Sequence, residues 1–186
     1  MICVIFAGGK SSRMGRDKSL LSFGDKPLIE YQFERLLPLF DEVYISSKSE
    51  KFNFNAPLIL DSSDIYAPTP AFLDIFDKFD EFFAISVDAP FIDKPIIEKL
   101  IEEAKKYPNK DAIIAKTDFS HPLIGIYRKS IQPKIENALE KNNLKLNSIL
   151  KEANTHYVEF QEDERFLNLN YPDEFKKALQ LKKVLL

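Results

Sequence analysis

Ile2-Cys3-Val4-Ile5-Phe6-Ala7-Gly8-Gly9-Lys10-Ser11-Ser12-Arg13-Met14-Gly15-Arg16-Asp17-Lys18 changes from apolar to basic within a few residues, and that change decides the fold. Residues 2–6 are apolar without alternation and are stopped by glycines. Such a run is the pattern of a strand buried on both faces, as in a parallel sheet. The segment after it holds Lys10, Arg13, Arg16 and Lys18 against Asp17, so four cations face one carboxylate and the local charge is +3. Adjacent glycines let a ligand approach the backbone, and their N–H groups can form a concavity for an anion. Lys18 offers a point charge, and Arg13 a fork matched to phosphate oxygens. No glycine stands at the spacing before Gly9-Lys10-Ser11 that a Walker loop requires. The Gly-x-Gly-x-x-Gly dinucleotide fingerprint is also missing. A basic glycine turn directly after the first buried strand points to a bound polyanion at the strand's carboxyl end.

The same alternation continues outward from this strand. Pro27 starts a helical pattern reaching about Leu39, with Leu28, Tyr31, Leu36 and Leu39 on one side. Short strands are expected at Val43–Ile45, closed by Ser46 and Ser47, and at Leu58–Leu60, closed by Asp61. A helix over 70–80 carries Phe72, Ile75, Phe76 and Phe79 at helical spacing, the face of a core. Phe82–Val87 forms a buried strand closed by Asp88-Ala89-Pro90, followed by a helix from Ile96 to Tyr107 and a strand from Ala112 to Ala115. The connection around Phe119–Pro122 is short, so a strand over Leu123–Tyr127 must run antiparallel to its predecessor. Helices over 130–142 and 147–152, a strand over 156–160 and a helix from Pro172 complete the chain. The class is α/β: a three-layer, doubly wound, mostly parallel sheet with one antiparallel strand. Ligands of such sheets bind beyond the carboxyl ends of the strands. Ala7-Gly8-Gly9, Ser46, Asp61 and Asp88 are therefore expected to converge.

Composition sets the bounds. The 186 residues include 45% hydrophobic and 30% charged side chains, with 16 Phe and 7 Tyr, enough for a core without staples. A net charge of −3 provides no basic field for nucleic acid. The one cysteine, Cys3, cannot form an internal disulfide and suits a reducing compartment. No stretch approaches the ~18 apolar residues that cross a bilayer, and the first residues lack a basic leader. A cytoplasmic protein with no membrane and no nucleic-acid partner is expected.

Asp88 is the candidate metal ligand, because Mg²⁺ takes one or two carboxylates together with phosphate oxygens. Asp61, at the corresponding place on its own strand, is either a second ligand or a contact for the nucleotide's sugar or base. His121-Pro122-Leu123-Ile124-Gly125 forms a third motif. His156 lies among apolar strand residues and receives no function. Asn168-Leu169-Asn170 before Pro172 either contacts a ligand or caps the last helix.

With these residues in view, the chain resembles a known family. The stretch from Ala7 to Leu21, with Gly24-Asp25-Lys26-Pro27-Leu28 after it, is similar to the nucleotidyltransferase signature. Together with Asp88-Ala89-Pro90, His121-Pro122-Leu123-Ile124-Gly125 and Asn168-Leu169-Asn170-Tyr171-Pro172, it resembles the molybdenum cofactor guanylyltransferases of MobA type over nearly the whole chain. The resemblance implies a Rossmann-like nucleotide-diphospho-sugar transferase fold. It also implies a single nucleotidyltransferase domain, with a nucleotide-binding half over 1–115 and an acceptor-binding half over 116–186. By resemblance, Phe6, Ala7, Gly8 and Gly9 meet the nucleotide through their backbone, Lys18 its phosphates, and Asp61 the GTP. Asp88 matches the Mg²⁺ ligand, and Asn168 and Asn170 match the region facing the pterin. Arg13, Lys18 and Asp88 would then be the catalytic set. GTP and molybdopterin are the implied substrates, with transient contact to molybdoenzymes or their chaperones. The family usually has Asn where this chain has Ser46, and a Gly-Pro-Leu-x-Gly loop where it has Ala67-Pro68-Thr69-Pro70-Ala71-Phe72-Leu73. That difference is expected to bring Phe72 near the nucleotide cleft. The alternatives are transfer from CTP to the same pterin, transfer to a sugar or alditol phosphate, and a binding protein without catalysis.

Overall fold

The computed structural model describes residues 1–8 and 17–185. Seven strands form one sheet: β1 (Ile2–Phe6), β2 (Glu42–Ser47), β3 (Leu58–Leu60), β4 (Glu81–Ser86), β5 (Ala112–Lys116), β6 (Ser120–Arg128) and β7 (Thr155–Glu159). Six α-helices join them: α1 (Leu28–Leu36), α2 (Pro68–Phe76), α3 (Lys94–Lys106), α4 (Gln132–Glu140), α5 (Leu146–Glu152) and α6 (Pro172–Leu185). The strand order is β3-β2-β1-β4-β6-β5-β7. Strand β6 runs antiparallel to both its neighbours, and every other pair is parallel. The expected α/β class and the single antiparallel strand are both present.

The uninterrupted apolar run of β1 follows from its central place in this order. Cys3, Ile5 and Ala7 face one side of the sheet, against α1 and α3, while Val4 and Phe6 face the other, against α2. A strand covered on both faces cannot alternate apolar with polar. Phe72 shows the consequence on the second face. It is fully buried, stacks on Phe6 at 5.1 Å between ring centroids and meets Tyr127 edge-on at 4.7 Å.

Several boundaries differ from expectation, and prolines lie at three of them. The helix after Pro27 stops at Leu36 and finishes as a 3₁₀ turn over Leu37–Leu39, where Pro38 has no N–H to continue the ladder. Helix α2 starts at Pro68 rather than 70, because Pro68 and Pro70 fall in its first turn, where N–H groups lack intrahelical partners anyway. Strand β6 begins at Ser120, so His121 and Pro122 belong to the strand and the turn lies at 117–119, closed by the Thr117 N–H donating to Phe119 at 2.9 Å. The β5–β6 register shifts between Ile114 and Lys116, an irregularity of the kind that accommodates a strand proline. Nearby, Gly125 lets β6 press close on β5: a Cβ there would lie 2.3 Å from the Ile113 carbonyl oxygen.

The first connections run outward to β2 and β3, and the chain then returns to place β4 on the other side of β1. The carboxyl ends of β1 and β4 thus flank the switch point of the sheet, where doubly wound folds open a crevice. No helix among the described residues is long and apolar enough to cross a membrane.

Candidate active site

A cleft of about 260 Å³ opens at that edge. Its floor is the run Phe6-Ala7-Gly8 leaving β1, with Ser46, Ser47 and Lys48 from β2 and Asp61 after β3 on one side, and Ser86, Val87 and Asp88 after β4 on the other. Ala67, Pro68 and Ala71 of the α2 start form one wall, and Asp17, Lys18 and Ser19 overhang it. A second hollow of about 240 Å³ is lined by Ser120, His121, Pro122, Ile124, Asn168 and Asn170. Ser86, Asp88 and Leu123 line both.

Asp88 and Lys18 meet at this shared rim. The Lys18 ammonium lies 2.7 Å from Asp88 Oδ2 and donates to Asn170 Oδ1 at 3.1 Å, with the two charged side chains 14% and 19% exposed. The backbone holds the same junction: the Asp88 carbonyl accepts from the Leu169 N–H at 2.9 Å, between the two asparagines. The Glu174 carboxylate caps Asn170 and Tyr171 by accepting from their N–H groups at 2.6 and 2.9 Å. Asn170 is thus fixed by the start of α6 and faces Lys18, while Asn168 lines the hollow beside His121.

Asp17 has its own cation, Lys51. Burial alone would raise its pKa, but hydrogen bonds from Lys51 at 2.6 Å and from Ser19 outweigh burial and hold it below the usual carboxylate range. His121 Nε2 lies 2.9 Å from Thr117 Oγ1, and its ring packs on Phe166. Burial lowers its pKa, more than the Glu162 charge restores, so it is neutral near pH 7.

Asp61 is 6% exposed at its side chain and pairs with Lys48 at 2.6 Å. The ends of β3 and β4 are separated by β2 and β1, three strand spacings or about 14 Å. Two short carboxylates that far apart cannot share one Mg²⁺ with bonds of about 2.1 Å. The strand order therefore speaks against Asp61 as a second ligand to an ion held by Asp88. Among the described residues, no three His, Cys, Asp or Glu side chains gather as a metal cage.

The strand-end residues therefore come together: Phe6, Ala7, Gly8, Lys18, Ser46, Asp61 and Asp88 line one cleft, and Asn168 and Asn170 line the adjoining hollow. Gly9 and Arg13 lie outside the described residues. Two details differ from the sequence reading. The Ala7 N–H continues the sheet by donating to Ser46 at 2.9 Å, so any amides free to meet an anion begin at Gly8. Phe72 does not enter the cleft; its place in the helical apolar face turns it into the core, one layer behind Phe6, and Ala67, Pro68 and Ala71 form the wall instead. Lys48 and Tyr66, whose ring centroid is 5.8 Å from the Lys48 ammonium, were not singled out by sequence. Extending β2 through Ser47 and applying the strand-end rule to the next residue would have found Lys48.

A cleft at the switch point of such a sheet, with a lysine and a carboxylate on its rim, is where this fold class binds its ligands. A family model described as the MobA-like NTP transferase domain matches residues 3–158, and the chain belongs to that family. It is 40% identical over 180 residues to the molybdenum cofactor guanylyltransferase of Campylobacter jejuni, covering 94% of this chain and 93% of that one. A probable molybdenum cofactor guanylyltransferase of Aquifex aeolicus is 34% identical, with 96% and 90% covered. The crystal structure of molybdopterin-guanine dinucleotide biosynthesis protein A from Archaeoglobus fulgidus superposes with a TM-score of 0.86 over 99% of this chain and 100% of that one. At 24% identity that likeness supports the fold alone.

Proposed function

We propose that the larger cleft binds GTP, that the hollow beside it binds the phosphate end of molybdopterin, and that the chain transfers GMP to the pterin with release of pyrophosphate. The names of the relatives support the choice of guanine nucleotide and pterin. In this chain the reading is carried by the shared rim: Asp88 lines both spaces, and Lys18 ties it to Asn170 on the acceptor side. A nucleotide's α-phosphorus at that rim is within reach of an acceptor in the hollow, the juxtaposition a transfer needs.

The chemistry asks little of side chains beyond charge and position. A phosphate oxygen of the pterin attacks the α-phosphorus. The bond from that phosphorus to the oxygen bridging to the β-phosphorus breaks, and pyrophosphate leaves with the electron pair. A phosphate monoester, with a second pKa near about 6, is already ionised at neutral pH. No general base is needed, and the His121 ring nitrogen Nε2 is occupied by Thr117. Lys18 moves from Asp88 to the phosphates and stabilises the charge that builds there.

Asp88 suits Mg²⁺: it is one accessible carboxylate beside a phosphate cleft, the donor set this ion takes when phosphates supply the other oxygens. Bound there, the ion would neutralise charge on the α-phosphoryl and on the leaving pyrophosphate.

Gly8 gives a direct test of the cleft. Among the described residues, a Cβ on Gly8 would meet nothing within 4 Å, and Gly8 lines the cleft. Gly8→Val is expected to keep the wild-type melting temperature while weakening a fluorescent GTP analogue about tenfold, or ~1.4 kcal/mol. Unchanged binding would place the nucleotide elsewhere. The whole reading is tested by measuring pyrophosphate release from GTP, CTP, UTP and ATP with molybdopterin or a sugar phosphate as acceptor. Release from GTP with the pterin is expected. Release only from CTP, or only with the sugar phosphate, transfers the assignment to that reaction, and tight GTP binding without release makes the chain a binding protein.

A further inference from the structure

Beneath the turn that carries Asp88, helix α1 presents a polar pair that the reaction itself does not use. Gln32 is fully buried. Its Nε2 donates to the Ser86 carbonyl at 3.0 Å and to the Ala89 carbonyl at 3.1 Å, one on each side of Asp88. The turn is tight, with the Ala89 N–H donating back to Ser86 at 3.2 Å. Arg35, one helical turn on, donates through Nε to the Gln32 Oε1, through Nη1 to the Ile92 carbonyl at 2.6 Å and through Nη2 to the Ala89 carbonyl at 3.3 Å. Because Arg35 can only donate, it fixes which end of the Gln32 amide faces the turn. Burial lowers the Arg35 pKa to about 10, and it remains a cation at neutral pH.

Arg35 is partly buried, and a guanidinium that gives up part of its hydration to bond carbonyls and an amide oxygen is costlier to place there than an apolar side chain. The polar pair adds direction, orienting three carbonyls on and after the Asp88 turn. The other side of the turn is held by the Leu169 N–H on the Asp88 carbonyl. Between these holds the Asp88 backbone is fixed, and its side chain pairs with Lys18 at the rim.

We propose that Gln32 and Arg35 are positioning residues for Asp88: by clamping the Ser86–Ile92 carbonyls from below, they hold its carboxylate where it binds a divalent cation. This inference rests on the reading of Asp88 as the ion-binding carboxylate. Residues that orient a metal ligand typically change metal affinity 10–100-fold when replaced, and that is the effect expected.

The test uses the full chain and Mn²⁺ as probe. Mn²⁺ is titrated by electron paramagnetic resonance in the presence of a GTP analogue with a methylene between the α- and β-phosphorus. Wild type is compared with Gln32→Met, Arg35→Lys and Asp88→Asn, each checked for a single cooperative melt above the assay temperature. Gln32→Met is expected to raise the Mn²⁺ half-saturation at least about tenfold. Binding of the metal-free analogue should stay within twofold, and turnover should be largely recovered at high metal. Arg35→Lys keeps the charge but cannot reach both carbonyls, and a smaller shift of the same sign is expected. It also provides the decisive measurement if Gln32→Met does not fold. An unchanged half-saturation in the folded variants, with a large shift in Asp88→Asn, overturns this inference alone. An unchanged value in Asp88→Asn overturns the ion-binding role of Asp88 and this inference with it.

Discussion

Lys18→Ala is expected to lower turnover by about 10²-fold or more, the usual loss when one donor to transition-state charge is removed. The same variant is expected to bind a divalent cation more tightly when no nucleotide is present. Both follow from one ion pair. Lys18 stands 2.7 Å from Asp88, and the two side chains are mostly but not fully shielded from water. With nucleotide in the cleft, the lysine is needed at the phosphates. Without nucleotide, it neutralises the carboxylate that would otherwise attract a cation. For a partly exposed pair the interaction is worth on the order of 1 kcal/mol, so free Mn²⁺ should bind up to about fivefold more tightly once the lysine is gone. A pyrophosphate-release assay gives the first effect and a Mn²⁺ titration without nucleotide gives the second. Turnover near that of wild type would remove Lys18 from the chemistry, and unchanged Mn²⁺ binding would mean that the pair is open in solution.

The parts of the site that could be read from sequence were those set by chain direction. The run Ile2–Phe6 has no alternation because both faces of β1 are covered, and the same logic located β4 and Asp88 after it. Parallel strands put their carboxyl ends on one edge, so Ser46, Asp61 and Asp88 could be expected together before any contact was known. What could not be read depended on packing across the sequence. Phe72 carries two sequence readings, a core face from helical spacing and a place near the cleft from the altered 67–73 loop, and the packing of α2 onto Phe6 and Tyr127 bears out the first. The separation of Asp61 from Asp88 needs the strand order, which places β2 and β1 between them. Gln32 looks like an ordinary polar helix residue among apolar neighbours. Its partners, Ser86 and Ala89, are more than fifty positions away, and only the packed structure brings them together.

Asp88→Asn is expected to lower Mg²⁺-supported turnover by about 10³-fold, the upper part of the range for removing one electrostatic element of a transition-state site. The substitution keeps the side chain's shape. It also leaves the hydrogen bond from the Leu169 N–H to the residue 88 carbonyl in place, so melting should change little. Metal-free GTP should bind as well as in wild type or somewhat better, because the carboxylate at position 88 no longer repels the triphosphate. Turnover with Mg²⁺ within tenfold of wild type would exclude Asp88 as the ion's ligand. The comparison with Lys18→Ala makes the test sharper than either variant alone. Removing the cation should weaken nucleotide and strengthen free-ion binding, whereas removing the carboxylate should do the reverse, and each should abolish most turnover. A disturbance of the fold around the rim would weaken both ligands in both variants, so opposite shifts would show that the two charges act on the ligands themselves.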